Sequence, residues 1–170
     1  KAILARLIYI LMQKKRLGKD QAMPAIKRFC AYQERAQQEV RDKLYEYGLT
    51  KDDVETLIAD LISENFLNEE RFALQFAGGH FRIKGWGKVK IDHALKQKRV
   101  SAYNIKKALL SIDLDDYQNT LAALALKKWN SLKGERGLSR MAKTQTFLYQ
   151  RGFEPQLIQP ILQDLYKNQV

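Results

Sequence analysis

The fold is decided by the stretch Ile91-Asp92-His93-Ala94-Leu95, which is followed at fixed distances by Val100, Ile105 and Ile112. The pattern occurs twice more, once before this stretch and once after it. The first copy is Val40-Arg41-Asp42-Lys43-Leu44 with Leu49, Val54 and Leu61, and the third is Thr144-Gln145-Thr146-Phe147-Leu148 with Phe153, Ile158 and Leu165. From the leucine onward the spacings are 5, 5 and 7 residues in every copy, and the copies are offset by 51 and 53 residues. A fixed period of this length indicates repeated structural units.

Each copy of the pattern predicts two helices joined by a tight turn. Gly48 and Gly152 occupy the turn in the first and third copies, where a left-handed residue commonly ends a helix, whereas the second copy has Arg99 there. Thr50 and Ser101 follow the turn as N-caps of the second helix. An amphipathic stretch precedes each pair, at about residues 22–33, 68–83 and 115–131, and completes a three-helix unit.

We therefore predict an all-α fold, an elongated right-angled stack of three tandem three-helix repeats with an extra N-terminal helix. The predicted boundaries are residues 1–20 for the N-terminal extension helix, 21–66 for repeat 1, 67–112 for repeat 2 and 113–170 for repeat 3. Within the extension, the helix is expected at about residues 2–15. No segment has the two-residue period of a strand.

The charge of the chain predicts an acidic partner. Its 170 residues carry a formal net charge of +11, and 45% of them are hydrophobic, which is enough for a folded core. Such a charge attracts nucleic acid, an acidic protein surface or an anionic membrane. The apolar run at residues 2–12 is far shorter than the roughly 20 residues of a membrane span, so no membrane contact is predicted. A lone cysteine, Cys30, excludes an internal disulfide and is typical of the reducing cytoplasm.

The sequence contains no convincing catalytic or metal-binding constellation, so we predict a protein that is not an enzyme and has no cofactor. Cys30 falls on an apolar helix face beside Phe29, which favours a core thiol. His80 and His93 lack cysteine or carboxylate partners at metal-ligand spacing, which favours surface or packing roles. The segment 84–88 has the glycines and lysines of a phosphate loop but lacks its Gly-Lys-Ser/Thr ending. A helix-breaking turn, with its tryptophan packed against the next helix pair, is the better interpretation.

Basic residues are concentrated in two segments. The segment from Arg82 to Lys107 contains nine basic residues and one acid, Asp92, and a second cluster lies between residues 127 and 151. A solvated helix face is the alternative interpretation, since lysines are common on surfaces. So uneven a charge favours a surface that binds a polyanion. The predicted binding face consists of Arg82, Lys84, Lys88, Lys90, Lys96, Lys98, Arg99, Lys106, Lys107, Arg140, Lys143 and Arg151.

Four aromatic residues are interleaved with these charges, and two roles are open to them. They are Trp86, Tyr103, Trp129 and Tyr149. Aromatic rings beside lysines stack on the bases of single-stranded nucleic acid. For Trp86 and Trp129, however, a place in the core is the favoured prediction, because large aromatic residues are usually well buried.

Four motifs resemble those of the RecX family, in order and with matching spacing over about residues 22 to 168. They are Arg35-Ala36-Gln37-Gln38-Glu39-Val40-Arg41-Asp42-Lys43-Leu44, Asn65-Phe66-Leu67-Asn68-Glu69-Glu70-Arg71-Phe72-Ala73, Lys84-Gly85-Trp86-Gly87 and Phe147-Leu148-Tyr149-Gln150-Arg151-Gly152-Phe153. The chain departs from the pattern at Ala36, where the family has a serine that would cap the helix. Residues 1–19 lie outside the pattern.

The resemblance implies a helical protein that binds the filament of the RecA recombinase and regulates it, usually by inhibition, with neither catalysis nor cofactor. A filament combines an acidic protein surface with bound DNA, and both attract a basic face. The predicted partners are therefore the RecA filament and single- or double-stranded DNA, and the chain is predicted to be a monomer. The alternative is a general nucleic-acid-binding helical protein without a recombinase partner.

Overall fold

The computed structural model describes residues 16–167, which form nine α-helices and no β-strand. The helices are α1 (Lys19–Tyr32), α2 (Gln37–Glu46), α3 (Lys51–Ser63), α4 (Glu69–Lys84), α5 (Lys88–Gln97), α6 (Ala102–Leu110), α7 (Leu114–Ser131), α8 (Gly137–Gln150) and α9 (Pro155–Lys167). The N-terminal helix predicted at about residues 2–15 lies outside the described residues. Over the part that the structure describes, the prediction of an all-helical fold is confirmed.

The helices fall into three consecutive triplets, α1–α3, α4–α6 and α7–α9. The two helices of the repeated pattern are packed neighbours in every triplet, as α2 with α3, α5 with α6, and α8 with α9. The leucine that ends each quoted stretch is fully buried, at Leu44, Leu95 and Leu148. The same spacing therefore buries the same position three times, and the prediction of three-helix repeats is confirmed.

The chain divides into two compact units between Phe72 and Ala73, within α4. The first unit contains repeat 1 and the beginning of α4, and the second contains the rest of repeat 2 together with repeat 3. The repeat boundaries given above, including 66/67 and 112/113, stay predictions.

The core of the first unit lies between α1, α2 and α3. Ile26, Leu44 and Leu61, one from each helix, are fully buried there. Cys30 belongs to the same core and is 6% exposed, which confirms the prediction of a core thiol. Burial raises the pKa of the Cys30 thiol to about 11. The thiol therefore stays protonated near neutral pH, and a protonated thiol is a poor nucleophile.

A line of three buried aromatic rings connects repeats 2 and 3 within the second unit. The ring centroid of Tyr117 in α7 lies 5.7 Å from that of Phe81 in α4 and 5.3 Å from that of Phe153 before α9. Tilted aromatic pairs at these distances are favourable beyond the area that they bury. Tyr117 is thus the central contact between the two repeats.

Side-chain caps fix where four of the helices begin. The caps are Thr50, Asn68, Ser101 and Asp113, and each side-chain oxygen accepts a hydrogen bond from the backbone N–H three residues later, at 2.9 to 3.4 Å. At Ala36 no side-chain cap is available, but the Glu39 carboxylate accepts a hydrogen bond from the Ala36 N–H at 3.1 Å. One half of the capping interaction is therefore kept where the serine is missing.

The turn in each repeat contains a left-handed residue at the predicted position. The φ angle is +83° at Gly48, +58° at Arg99 and +85° at Gly152. Glycine adopts this conformation without steric cost, whereas for a residue with a Cβ the conformation costs about 1 kcal/mol or more. Arg99 therefore holds a strained backbone in repeat 2.

Replacing Arg99 by glycine is expected to raise the free energy of unfolding by about 1 kcal/mol, because the replacement removes the Cβ from a left-handed position. Urea denaturation followed by circular dichroism measures the change. The control is Gln97→Gly in the last residue of α5, which is expected to destabilise the protein because that residue is helical. Equal destabilisation by the two substitutions would mean that contacts of the Arg99 side chain outweigh the strain.

Candidate binding surface

Three aromatic rings lie in a row at the end of α4, where Phe76 is stacked on His80 and Trp86 packs against His80 at a tilt. The ring centroids of Phe76 and His80 are 3.9 Å apart with an interplanar angle of 24°, and those of His80 and Trp86 are 4.5 Å apart with an angle of 50°. Phe76 and His80 lie one helical turn apart, so their side chains share a face of α4. Gly85, with φ of +59°, ends the helix and turns the chain so that Trp86 lies over His80. All three rings are half-buried.

Three lysine side chains surround this stack. The Nζ atoms of Lys84 and Lys90 lie 5.2 and 4.7 Å from the ring centroid of Trp86, and Nζ of Lys98 lies 5.8 Å from that of Phe76. At these distances a cation is attracted to the face of the ring. We call these six residues the aromatic–lysine cluster, which consists of Phe76, His80, Lys84, Trp86, Lys90 and Lys98.

His80 contributes a neutral ring to the cluster. Its Nδ1 lies 2.9 Å from the Phe76 carbonyl oxygen, and its Nε2 lies 3.2 Å from Nζ of Lys84. A neutral imidazole with its proton on Nδ1 satisfies both contacts, because it donates to the carbonyl and accepts from the ammonium group. Burial lowers the pKa of His80, and the charges of Lys84 and Lys98 lower it further. The positive charge of the cluster therefore comes from its lysines.

The predicted basic residues occupy several different environments. The exposed ones are Arg82, Lys84, Lys96, Arg99, Lys106, Lys107 and Lys143, and the half-buried ones are Lys88, Lys90, Lys98 and Arg151. Three of the set, Lys84, Lys90 and Lys98, meet in the aromatic–lysine cluster. Three others, Lys88, Lys96 and Lys106, line a groove between α5 and α6.

Arg140, which the sequence assigned to the binding face, is instead a buried structural residue. It is 9% exposed, its Nε donates a hydrogen bond to the Trp129 carbonyl oxygen at 2.7 Å, and its guanidinium lies 4.4 Å from the Trp129 ring centroid. These contacts bind α8 to α7, so Arg140 is removed from the predicted face. Trp129 is 3% exposed, which confirms its prediction as a core residue. In the same repeat, Lys143 forms an ion pair with Glu135.

The N-terminus of α5 is capped by the C-terminus of α8. The Gly87 N–H donates a hydrogen bond to the Arg151 carbonyl oxygen at 2.7 Å, and the Val89 N–H donates to that of Gly152 at 3.1 Å. The unpaired donors at the start of one helix and the unpaired acceptors at the end of another therefore satisfy each other. We call Gly87, Val89, Arg151 and Gly152 the repeat joint. The Arg151 side chain adds a hydrogen bond from Nη1 to the Lys84 carbonyl oxygen at 2.7 Å, so Arg151 also serves the packing of repeats 2 and 3.

Gly87, and not Trp86, makes the close contact with the third repeat. A Cβ added at Gly87 would lie 2.1 Å from the Gly152 carbonyl oxygen. The sequence predicted a helix-breaking turn here with the tryptophan against the next helix pair, and the structure contains the turn and has Lys90 of α5 over the Trp86 ring. The prediction that Trp86 is a core residue is wrong. Trp86 is half-buried and stacks on His80 of its own repeat. The Phe76–His80–Lys84 spacing of four residues is the signal that would have indicated this surface.

Tyr117 reinforces the repeat joint from α7. Its hydroxyl donates a hydrogen bond to the Glu154 carboxylate at 2.6 Å and accepts one from the Lys88 N–H at 2.9 Å. Tyr117 is 1% exposed, and this burial, together with the hydrogen bond to Glu154, raises the pKa of the Tyr117 phenol. The sequence did not predict this role, because no sequence pattern shows whether the hydroxyl of a tyrosine on an apolar helix face has a hydrogen-bond partner.

Within residues 16–167 the structure gives no indication of a metal centre or of a membrane span. Three or more potential ligands from His, Cys, Asp and Glu do not come together anywhere in this part of the chain. Its helices are either too short or too polar to cross a bilayer.

The described residues thus define a class of all-helical proteins that consist of three-helix repeats and carry a basic surface with stacked aromatic rings. Two family models match the chain, "RecX, second three-helix domain" over residues 68–109 and "RecX, third three-helix domain" over residues 115–162. The Regulatory protein RecX of Prosthecochloris aestuarii (strain DSM 271 / SK 413) is 33% identical over 140 residues, which cover 82% of this chain and 90% of that protein. That of Clostridium perfringens (strain 13 / Type A) is 31% identical over 137 residues, which cover 79% of this chain and 64% of that protein.

A solved structure has the same fold. The crystal structure of RecX from Lactobacillus salivarius matches 86% of this chain and 96% of its own with a TM-score of 0.79, at 22% sequence identity. The chain belongs to the RecX family of regulatory proteins.

Proposed function

We propose that this chain regulates the RecA recombinase, in the direction of inhibition, by binding the RecA filament on single-stranded DNA. The binding site is the aromatic–lysine cluster together with the exposed residues Arg82 and Arg99 next to it in the chain. The protein acts in the cytoplasm as a monomer, without catalysis and without a cofactor. The observation that carries the proposal is the stack of Phe76, His80 and Trp86 with lysines over its rings.

The chemistry of the cluster suits a strand of DNA held by an acidic protein. An exposed base stacks on an aromatic ring for about 1–3 kcal/mol, with little dependence on sequence. Lysines beside the rings neutralise phosphates and release counterions, which makes such binding weaker as salt increases. The net charge of +11 adds a long-range attraction to a filament that carries both phosphates and acidic side chains.

The strained backbone at Arg99 is a second, independent support. Glycine would occupy this left-handed position without strain, as Gly48 and Gly152 do in the other repeats. Backbone strain of this kind is concentrated at functional sites, where the side chain matters more than the local stability. Arg99 directly follows Lys98 of the cluster, so this strained position adds one more exposed cation next to the cluster.

The proposal is tested with the charge reversal Lys84→Glu/Lys98→Glu. We expect the concentration that half-inhibits DNA-dependent ATP hydrolysis by RecA to rise about tenfold or more, because two cations at the ring faces become anions. The matched control is Lys127→Glu/Lys133→Glu, which makes the same change in net charge at two exposed residues of repeat 3. The control is expected to stay within about twofold of the unmodified protein, since distant exposed charges are screened by salt.

The titration also separates the two candidate functions. Inhibition at amounts well below one chain per RecA protomer is expected of a filament regulator. Inhibition that begins only when the protein coats the DNA would instead favour a general nucleic-acid-binding protein. Full inhibition by the folded Lys84→Glu/Lys98→Glu variant would remove the aromatic–lysine cluster from the mechanism, whichever of the two functions holds.

A further inference from the structure

A second surface in repeat 2 lies in the groove between α5 and α6, which has a volume of about 310 Å³. Lys88, Asp92 and Lys96 line it from α5, one helical turn apart from each other, and Lys106 lines it from α6. Asp92 forms an ion pair with Lys96 at 2.7 Å. The groove therefore has three cations and a single, already paired, carboxylate.

Apart from Lys106, the wall contributed by α6 is apolar. Ile105 is 3% exposed at the base of the groove, whereas Leu110 on the same helix is 71% exposed, and Leu109 also lines the groove. Ile105 and Leu109 are one helical turn apart, and so are Lys106 and Leu110, so each leucine lies beside the lining residue one turn before it. A groove that combines exposed leucine with a basic edge provides both apolar area and charge to a partner.

At the corresponding position in repeat 1, an ion pair connects the two helices. Arg41 and Glu55, which occupy the places of Asp92 and Lys106, form two hydrogen bonds between α2 and α3, at 2.8 and 3.0 Å. In repeat 2 the charges at these two places are exchanged, and Asp92 pairs with Lys96 on its own helix instead. The small residue Ala59 of repeat 1 stands where repeat 2 has Leu110.

Repeat 3 also lacks the combination of charge and leucine. Gln145 and Tyr149 stand in the places of Asp92 and Lys96 and are hydrogen-bonded to each other at 2.7 Å. Gln163 stands in the place of Leu110. Cations and exposed leucine are thus combined at this position in repeat 2 but in neither of the other repeats, although all three share one fold.

We propose that the groove between α5 and α6 binds a short acidic segment of a partner protein, with an apolar side chain of that segment placed on Leu109 and Leu110. Carboxylates of the segment then reach Lys88, Lys96 and Lys106. The occupant is a peptide and not a nucleic acid strand, because bases stack on aromatic rings and the lining of this groove contains none. The inference goes beyond the proposed function, since it assigns a separate site and does not require DNA.

The test uses a fluorescein-labelled peptide of about twelve residues, in which two leucines lie one helical turn apart and glutamates fill the other positions. Fluorescence anisotropy measures its binding to the full chain. We expect Leu110→Asp and Lys106→Glu each to weaken binding about tenfold, because the first removes the apolar contact and the second a charge pair. The matched control is Leu138→Asp at a leucine that is 72% exposed in α8, and it is expected to leave binding unchanged.

Two further probes decide what kind of partner the groove takes. A peptide with serines in place of the leucines is expected to bind about tenfold more weakly, and equal binding would overturn the proposal in favour of charge attraction alone. Equal weakening by Leu110→Asp and Leu138→Asp, or a single-stranded oligonucleotide that loses affinity with Leu110→Asp, would also overturn it. The assay contains no recombinase, so its failure leaves the ATP hydrolysis test of the aromatic–lysine cluster unaffected.

Discussion

Replacing Gly87 by alanine is expected to lower the free energy of unfolding by about 3 kcal/mol. The added Cβ would lie 2.1 Å from the carbonyl oxygen and 2.3 Å from the carbonyl carbon of Gly152. Backbone atoms cannot yield as a flexible side chain does, so α5 and α8 must move apart and the hydrogen bonds of the repeat joint must lengthen. Overpacking of a close contact typically costs about 1–3 kcal/mol, and a contact with backbone belongs at the upper end of that range.

Urea denaturation followed by circular dichroism measures this loss, and a second glycine provides the control. Gly79 lies inside α4, where an added Cβ would have no side chain or other helix within 4 Å. Gly79→Ala is expected to stabilise the protein by about 0.5–1 kcal/mol, because alanine favours a helix interior. If Gly87→Ala proved as harmless as Gly79→Ala, the close approach of the two helix ends would be refuted.

Removing the hydroxyl of Tyr117 is expected to cost about 2 kcal/mol, measured for Tyr117→Phe by the same denaturation. The ring stays between Phe81 and Phe153, so its packing is kept. Two hydrogen bonds are lost, and the half-buried Lys88 N–H and Glu154 carboxylate each lose a partner. Leaving buried polar groups unsatisfied costs about 1–3 kcal/mol.

The matched control is Tyr103→Phe, because Tyr103 is 72% exposed. Its effect is expected to stay within about 0.5 kcal/mol, as for most surface substitutions. A cost for Tyr117→Phe no larger than that of Tyr103→Phe would show that the buried hydroxyl contributes nothing to the joint.

The pKa of Tyr117 adds a dependence on pH, and comparing Tyr117→Phe with the unmodified protein isolates it. Burial raises the pKa of its phenol above that of the unfolded chain, which is about 10. The folded state therefore keeps the proton while the unfolded state releases it, and stability is lost as pH rises above about 10. Tyr117→Phe lacks this group, so its stability difference from the unmodified protein is expected to shrink above that pH.

The repeat joint and the aromatic–lysine cluster share one segment of chain. Trp86 of the cluster precedes Gly87 of the joint. Lys90 of the cluster has Nζ over the Trp86 ring and donates a hydrogen bond at 3.1 Å to the carbonyl oxygen of Gln150, the last residue of α8. The packing of repeat 3 thus holds part of the cluster in place. In this chain the packing of the joint accounts for the glycines at positions 87 and 152, which leave no room for a Cβ.

The sequence by itself determined the helices, the three repeats, the caps and the left-handed turns. Each of these depends on residues a few positions apart, as with Thr50 and the N–H three residues later or Arg99 at the end of α5. Helical periodicity and capping act over such short distances, so the pattern is visible in the chain.

Only the tertiary structure decided which of the predicted basic residues share a surface. Lys98 at the end of α5 contacts Phe76 in α4, whereas Arg140 is buried against Trp129. In the sequence, Lys98 and Arg140 look alike, because each lies in a segment rich in basic residues. What separates them is how neighbouring helices pack, which depends on contacts between residues that are distant in the chain and so has no period in the sequence.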